Sequence, residues 1–307
     1  HMFFKPNRIS AMREMILSDN KQDRKNAIMK LLPYQKRDFY RILKVMNNRP
    51  VTIRLLDPPL HEFLPSKDIQ IIELAKNMNV TRKKLKQTIE NLAESNPMLG
   101  HRGCRLGITY PEITEMQTQA IAQATIQLIK EGFQPNPEIM IPLTGNLGEF
   151  INQKNIVQSA LSFLFNKHNI KKHNLKIGTM IELPRACLIA NQIAEHADFL
   201  SFGTNDLTQT TFGFSRDDIG SFLPSYIEQK IIKTDPFQTL DQEGVGELIK
   251  MAIQKARSVN PKIKIGICGE HGGDPESIKF LVRAGVDYVS CSPYRVPIAK
   301  LTLAQQN

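Results

Sequence analysis

The sequence has no tryptophan, only four cysteines and no long apolar segment, and each of these absences excludes a class of protein. The cysteines stand far apart, at positions 104, 187, 268 and 291, without a Cys-x-x-Cys pair. This spacing excludes a zinc ribbon and indicates reduced thiols. The apolar runs are shorter than the ~18 residues of a membrane helix, and the opening residues lack the apolar core of a signal peptide. We therefore expect a cytoplasmic protein that does not contact a membrane.

Familiar nucleotide and protease motifs are also missing. Neither GxxxxGK[ST], nor GxGxxG after a strand, nor HExxH occurs, so no site for ATP, a dinucleotide or catalytic zinc is indicated. The net charge of +10 is spread along the chain, and no aromatic residues alternate with basic ones to form a platform for bases. Binding to nucleic acid is not expected, and the charge indicates either a general surface bias or attraction for anionic substrates.

Short apolar strands alternate with helices along the chain, which predicts an α/β fold with parallel strands. Seven strands are expected, near residues 51, 102, 138, 176, 198, 264 and 288. A closed (β/α) barrel needs eight. The difference could reflect an unrecognised strand, an open sheet or a chain that begins one strand late. Residues 68–94 predict two helices divided near Thr81, a helical insertion between early strands.

Polar residues follow the strands, at the edge where ligands bind on parallel α/β scaffolds. The central stretch is Ser201-Phe-Gly-Thr-Asn-Asp-Leu-Thr-Gln209, in which a strand is expected to open into a loop. Asp206 in this loop and Glu182 on the preceding strand are carboxylates without a neighbouring His or Cys, which suits Mg²⁺ or Mn²⁺. Two structural alternatives stay open: an ordinary Asn/Asp turn, and a Glu182 that pairs with an arginine.

Three arginines are candidates for binding an anion. Arg54 lies inside an apolar strand, where an unpaired guanidinium is costly, so it must meet a protein carboxylate or a ligand. Arg102 and Arg105 lie in Asn96-Pro-Met-Leu-Gly-His-Arg-Gly-Cys-Arg-Leu-Gly107, a segment that we expect to be too rich in glycine for a helix. Guanidinium groups beside small residues suit a phosphate or carboxylate.

Cys268 precedes the glycine-rich stretch Gly269-Glu-His-Gly-Gly273. It is either a small buried apolar residue or a proton donor or nucleophile. His271 in the same stretch is the histidine best placed to touch a ligand. The other cysteines and histidines show no ligand spacing.

The ordered motifs resemble the C-terminal phosphoenolpyruvate/pyruvate-binding barrel of the pyruvate, phosphate dikinase family. The resemblance covers nearly the whole chain. The matching runs are Val-Thr-Ile-Arg-Leu-Leu-Asp-Pro-Pro-Leu-His-Glu-Phe-Leu-Pro (51–65), the 96–107 run above, Ile-Met-Ile-Pro-Leu (139–143), Gly-Thr-Met-Ile-Glu (178–182), Phe-Gly-Thr-Asn-Asp-Leu-Thr-Gln (202–209), Ser-Arg-Asp-Asp (215–218) and Ile-Cys-Gly-Glu-His-Gly-Gly-Asp-Pro (267–275).

This resemblance implies a Mg²⁺-dependent transfer of a phosphoryl group between a phosphohistidine and pyruvate or its enolate. It implies that Glu182 and Asp206 bind Mg²⁺ and that Cys268 carries the methyl proton. The arginines would act on the phosphoryl group, with Arg54 and Arg105 as its main contacts. The further substrate contacts implied are Arg102, Arg216, Gly203, Thr204, Asn205, Glu182 and Asp206.

The resemblance also implies the architecture and the partners. We expect one (β/α)8 TIM-type barrel domain over residues 1–307, without its first strand, because the opening residues are similar to family sequence just after that strand. The nucleotide-binding (ATP-grasp) and phosphohistidine domains of the family are absent from the sequence and are expected as partners, together with a second copy in a homodimer. The alternatives are a barrel of the phosphoenolpyruvate synthase or phosphotransferase-system enzyme I type, a Mg²⁺-dependent pyruvate-enolate lyase or aldolase, and an inactive dimerisation module.

Overall fold

The computed structural model describes residues 2–18, 20–65, 67–171 and 173–306. These residues form two compact units. Unit 1 consists of residues 1–142 and 152–175, and unit 2 of residues 143–151 and 176–307. The predicted opening of the chain, just after a first barrel strand, includes residue 1, which lies outside the described residues.

Helices and strands alternate through most of the described chain, as predicted. The helices are α1 Pro6–Ile16, α2 Lys21–Met29, α3 Leu32–Val45, α4 Asp68–Asn77, α5 Arg82–Leu92, α6 Gly103–Thr109, α7 Pro111–Lys130, α8 Leu147–Lys167, α9 Pro184–Leu188, α10 Ala190–Ala194, α11 Thr204–Phe212, α12 Leu223–Glu228, α13 Val245–Val259, α14 Pro275–Ala284 and α15 Val296–Ala304. The strands are β1 Pro50–Arg54, β2 Asn136–Ile141, β3 Lys176–Ile181, β4 Phe199–Gly203, β5 Lys264–Cys268 and β6 Tyr288–Val289. This alternation confirms the α/β class.

Unit 1 combines a helical layer with a pair of parallel strands. β1 and β2 pair from Pro50 opposite Asn136 to Arg54 opposite Met140. β2 is buried over almost its whole length, as expected of a strand covered on both faces. Buried apolar side chains of α1, α2 and α7 share one core with the segment after β1. This packing fixes the end of β1, where Arg54 lies.

The helical insertion at residues 68–94 is confirmed as α4 and α5. Thr81 is the N-cap of α5, and its side chain accepts a hydrogen bond from the Lys84 N–H at 3.2 Å. Ile71, Leu74 and Leu85 form a small core of their own between the two helices. The insertion therefore folds as a helical hairpin with its own apolar contacts.

Unit 2 contains four parallel strands in the order of the sequence, β3, β4, β5 and β6. Strands β3 and β4 are almost wholly buried, and helices precede and follow each of them. Phe202 is opposite Ile181 on one side and Ile267 on the other. The carboxyl ends of β3, β4 and β5 therefore lie side by side.

The strand predicted near residue 102 is wrong, because residues 103–109 form helix α6. The two glycines that argued against a helix have specific places in it. Gly103 begins the helix at φ +58°, a conformation that glycine tolerates without strain. Gly107 is buried where an added Cβ would collide with the side chains of Gln153 and Thr114. The described residues therefore contain six strands, not seven.

The loop predicted after Gly203 is also wrong, because α11 begins at the next residue, Thr204. Asp206 then lies in the first turn, where a carboxylate interacts favourably with the helix dipole. Helices α9 and α10 follow each other closely and are divided at Ile189. None of the helices in the described part of the chain is long and apolar enough to cross a membrane.

Gly178 in β3 provides a test of how tightly this sheet is packed. A Cβ at this position would overlap the Phe199 carbonyl oxygen on β4, which cannot move without disturbing the strand. We expect Gly178→Ala to lower the free energy of unfolding, measured by urea denaturation, by about 2–3 kcal/mol. Gly220→Ala is the control, because a Cβ there meets nothing within 4 Å. Equal stability of the two variants would contradict the packing described here.

Candidate functional site

The predicted site residues fall into two groups, one in each unit. Arg54, Arg102 and Arg105 belong to unit 1. The others belong to unit 2: Glu182, Gly203, Thr204, Asn205, Asp206, Arg216 and Cys268. Each group is built around a buried carboxylate.

Asp57 holds two of the arginines of unit 1. Its Oδ2 accepts a hydrogen bond from Arg102 Nη2 at 2.7 Å and lies 3.2 Å from Arg54 Nη1. The Arg102 side chain is 4% exposed and that of Arg54 is 40% exposed. The protein carboxylate expected for Arg54 is therefore Asp57, which is shared. Because one carboxylate serves two guanidinium groups, the trio keeps a net positive charge, and Arg54 is its accessible member.

Arg105 is held by backbone oxygens. Its Nη1 donates to the carbonyls of Leu99 at 2.7 Å and Gly100 at 3.0 Å. Glu94 shapes the same turn from the other side, since its carboxylate accepts the His101 N–H at 2.7 Å and occupies the space that a Cβ on Gly100 would need. The turn is thus fixed between an acidic and a basic side chain.

The central feature of unit 2 is a row of residues at the ends of three neighbouring strands. Gly203 ends β4 and is directly opposite Cys268, the last residue of β5. Glu182 follows Ile181, the last residue of β3, and Ile181 is opposite Phe202. Glu182, Gly203 and Cys268 therefore lie at one level of the sheet, and Asp206 follows one helical turn later.

Glu182 is completely buried. Its Oε1 accepts the backbone N–H of Leu143 at 2.5 Å. A Cβ on Gly203 would lie 2.5 Å from Oε2, so only glycine leaves room for this carboxylate. The Glu182 carboxyl group therefore lies against the last residue of β4.

Oxygen atoms dominate the first turn of α11. Asp206 is partly exposed, and Asn205 has a buried Oδ1 that meets no hydrogen-bond donor among the described residues. Arg216 is exposed after the helix, and its backbone N–H donates to Gln209 Oε1 at 3.0 Å. The buried Asn205 Oδ1 is therefore suited to a ligand that supplies a hydrogen-bond donor or a cation.

Cys268 is half-buried, and its Sγ lies 3.6 Å from the Phe202 carbonyl and 3.9 Å from Ser201 Oγ. It lines a polar cavity of about 180 Å³ together with Glu270, Cys291 and Arg295. Cys268 is therefore accessible to a small molecule from this cavity. Cys187 is buried instead, and burial raises the pKa of its thiol to about 12. All four cysteines are free, as the spacing predicted.

His271 does not line this cavity. It is fully buried, with Nδ1 2.7 Å from Thr204 Oγ1 and Nε2 2.9 Å from the Pro236 carbonyl. Burial lowers the pKa of the imidazole, so the ring is neutral at physiological pH. The histidine that the sequence placed nearest a ligand is therefore buried after the end of β5, with both ring nitrogens in contact with protein atoms.

The donor set in unit 2 fits a hard divalent cation. No cluster of three or more His, Cys, Asp or Glu able to hold a metal occurs within the described ranges. Mg²⁺ does not require such a cluster, since it commonly takes one or two carboxylates and completes its shell with water and substrate oxygens. Glu182 and Asp206 would supply two carboxylates to such an ion, and the Asn205 Oδ1 would add a further oxygen.

Comparison with known proteins shows the family of the chain. The family model for the PEP-utilising enzyme, PEP-binding domain, matches residues 1–307. The chain belongs to this family. It is 54% identical to pyruvate, phosphate dikinase 1, chloroplastic, of Arabidopsis thaliana over 309 residues, which cover 99% of the chain and 32% of that protein. It is 53% identical to the pyruvate, phosphate dikinase of Clostridium symbiosum over 306 residues, 99% of the chain and 35% of that protein.

The chain spans about a third of the length of these relatives. The predicted resemblance is confirmed, and with it the prediction of a partial TIM-type barrel of the PEP-binding domain. Two carboxylates of the domain, Asp57 and Glu94, were not predicted from the sequence, and neither was the contact between Thr204 and His271. Only Asp57 had a signal in the sequence, because it follows Arg54 by three residues at the end of the strand.

The shared Asp57 predicts unequal roles for its two arginines in this PEP-binding domain. Arg102→Met removes the buried partner and leaves a buried carboxylate undercompensated, which we expect to cost about 3 kcal/mol of unfolding free energy. Arg54→Met removes the more exposed partner and should cost less than about 1 kcal/mol. Urea denaturation of the two variants measures the difference. A greater loss from Arg54→Met would show that Asp57 depends mainly on the exposed arginine.

Proposed function

We propose that this PEP-binding domain performs the pyruvate and phosphoenolpyruvate half-reaction of a pyruvate, phosphate dikinase. The proposal rests on the row of Glu182, Gly203 and Cys268 at the ends of adjacent strands, with Asp206 in the first turn of α11. It combines two carboxylates with an accessible thiol beside a small polar cavity. The relatives named pyruvate, phosphate dikinase support the choice of substrate.

Glu182 and Asp206 would hold Mg²⁺, with the carboxylate and enolate oxygens of the substrate completing its coordination. Bound Mg²⁺ would supply positive charge where the enolate develops. Gly203 at the end of β4, with Thr204 and Asn205 in the first turn of α11, would bind the substrate. A neighbouring glycine and a helix N-terminus suit a small anion.

Cys268 would carry the proton at C3 of the substrate. When enolpyruvate is converted to pyruvate, the thiol gives its proton to C3 and remains as thiolate. In the opposite direction, the thiolate takes a proton from the methyl group and the enolate forms. Proton transfer by a positioned side chain of this kind contributes about 10²–10⁴-fold to a rate.

For the arginines we propose the role that the family resemblance implies. Arg54 and Arg105 would stabilise the charge on the phosphoryl group during transfer, with Arg102 and Arg216 as further anion contacts. The phosphoryl donor would be a phosphohistidine domain, charged by a nucleotide-binding domain, and the protein would act as a homodimer. We also propose a cytoplasmic location for this protein, whereas the plant relatives are named chloroplastic.

Titration calorimetry with oxalate, an analogue of enolpyruvate, tests the Mg²⁺ site. We expect oxalate to bind only with Mg²⁺ present, and removal of the metal by a chelator to abolish binding. Asp206→Asn should weaken binding at least about tenfold, or ~1.4 kcal/mol. Glu228→Gln, which neutralises an exposed carboxylate on α12, is the matched control. Mg²⁺-independent binding, or equal affinities of both variants, would argue against the assignment.

Exchange of the pyruvate methyl protons into D₂O tests the role of Cys268 without a phosphoryl donor. We expect Mg²⁺-dependent exchange by the wild-type chain, followed by proton NMR, and a loss of about 100-fold or more in Cys268→Ser. Binding of oxalate should persist in this variant. Cys291→Ser is a close control, because Cys291 lines the same cavity. Full exchange activity in Cys268→Ser would exclude this thiol as the proton carrier. Cleavage of a carbon–carbon bond by the wild-type chain would favour a lyase instead.

A further inference from the structure

His271 connects three segments of unit 2. The residue itself follows β5, its Nδ1 contacts Thr204 at the start of α11, and its Nε2 contacts Pro236 in the segment before α13. All three residues are buried. Contacts of 2.7 and 2.9 Å on the two ring nitrogens leave this imidazole engaged on both sides by protein atoms.

The partners determine which ring nitrogen carries the proton. The Pro236 carbonyl can only accept, so Nε2 must be the N–H donor at 2.9 Å. A neutral imidazole has one N–H, and Nδ1 is therefore the acceptor of the Thr204 hydroxyl at 2.7 Å. An imidazolium would instead donate to Thr204 and turn its hydroxyl towards the Cys268 carbonyl, 3.3 Å away.

The surroundings favour the neutral form. Burial is the main influence on the pKa of His271 and lowers it, whereas the Pro236 carbonyl and the carboxylates of Asp274, Glu270 and Asp235 act in the opposite direction. These carboxylates are the charged groups that influence the ring. Since burial has the larger effect, the ring is neutral, and its Nδ1 accepts the hydrogen bond from the Thr204 hydroxyl.

We propose that His271 is a positioning residue, a neutral hydrogen-bond acceptor that fixes Thr204 and thereby the first turn of α11. The proposal rests on the proposed function, because the substrate and Mg²⁺ would bind to that turn. Thr204 would then act through its backbone and the position it gives to Asn205 and Asp206, while its hydroxyl serves as the anchor. Gly269, at φ +107°, packs closely against Thr204, since a Cβ on Gly269 would lie 3.1 Å from Thr204 Oγ1.

Four single variants and one double variant separate this role from general packing. His271→Phe keeps the volume and loses both hydrogen bonds, whereas His271→Gln keeps a donor and an acceptor. Thr204→Val removes the hydroxyl with little change in shape, and Thr204→Ser retains it. The double variant His271→Phe/Thr204→Val shows whether the two residues act through one bond.

We expect His271→Phe and Thr204→Val each to weaken Mg²⁺-dependent oxalate binding by about 10–100-fold, as loss of an orienting partner does at metal sites. The double variant should be no weaker than the worse single variant, because both changes break the same contact. His271→Gln should stay within about threefold of wild type, and Thr204→Ser, which keeps the hydroxyl, should bind oxalate more tightly than Thr204→Val. Losses that multiply in the double variant, or a failure of both conservative variants to bind, would overturn the proposal.

Nitrogen-15 NMR of the wild-type imidazole is the measurement that a purely structural role would not dictate. The proposal requires a proton on Nε2 and none on Nδ1, and a proton on Nδ1 would refute it without any variant. Hydrogen exchange at the amides of Asn205 and Asp206 should be faster in Thr204→Val than in Thr204→Ser. These two readouts need no ligand, so they decide the positioning role even if oxalate does not bind and the proposed function fails. They also decide it if His271→Phe does not fold.

Discussion

The carboxyl ends of β3, β4 and β5 are organised around the buried carboxylate of Glu182. A carboxylate inside a protein is costly unless hydrogen bonds compensate for lost water. Leu143 provides one such bond from its backbone, although it adopts φ +59°, a conformation that costs a non-glycine residue about 1–3 kcal/mol. Gly203 provides the space. Stability alone would favour an apolar side chain at this position, so the chemistry of the acid is the better explanation for both features.

The groups proposed to touch substrate are supported by side chains that would not touch it. Asp57 orients Arg54, Glu94 shapes the turn that holds Arg105, and His271 anchors Thr204. Such support fixes the geometry in advance, so that less free energy is lost when the ligand binds. It also makes Asp57 and His271 costly to replace, because both are buried polar groups whose partners would be left without compensation.

The fold class and most of the proposed binding residues could be predicted from the sequence, because apolar alternation and polar strand ends are local patterns. One local prediction failed where tertiary contacts decided the outcome. Gly103 and Gly107 suggested an irregular segment, but a positive φ and close packing against Gln153 place them in a helix. The roles of Glu94 and His271 depend on partners from 7 to 67 residues away, and no spacing within the sequence records such contacts.

The difference between a loop and a helix after Gly203 changes how an anion would be bound. No side chain caps α11 among the described residues, so the first N–H groups of its nine residues lack the partner that a capping residue gives. An anion at this end would gain those donors and the positive end of the helix dipole. Asp206 in the same turn would repel that anion unless a cation lay between them. The combination of a helix N-terminus without a side-chain cap and two carboxylates therefore favours a ligand that binds together with Mg²⁺ over an anion that binds alone.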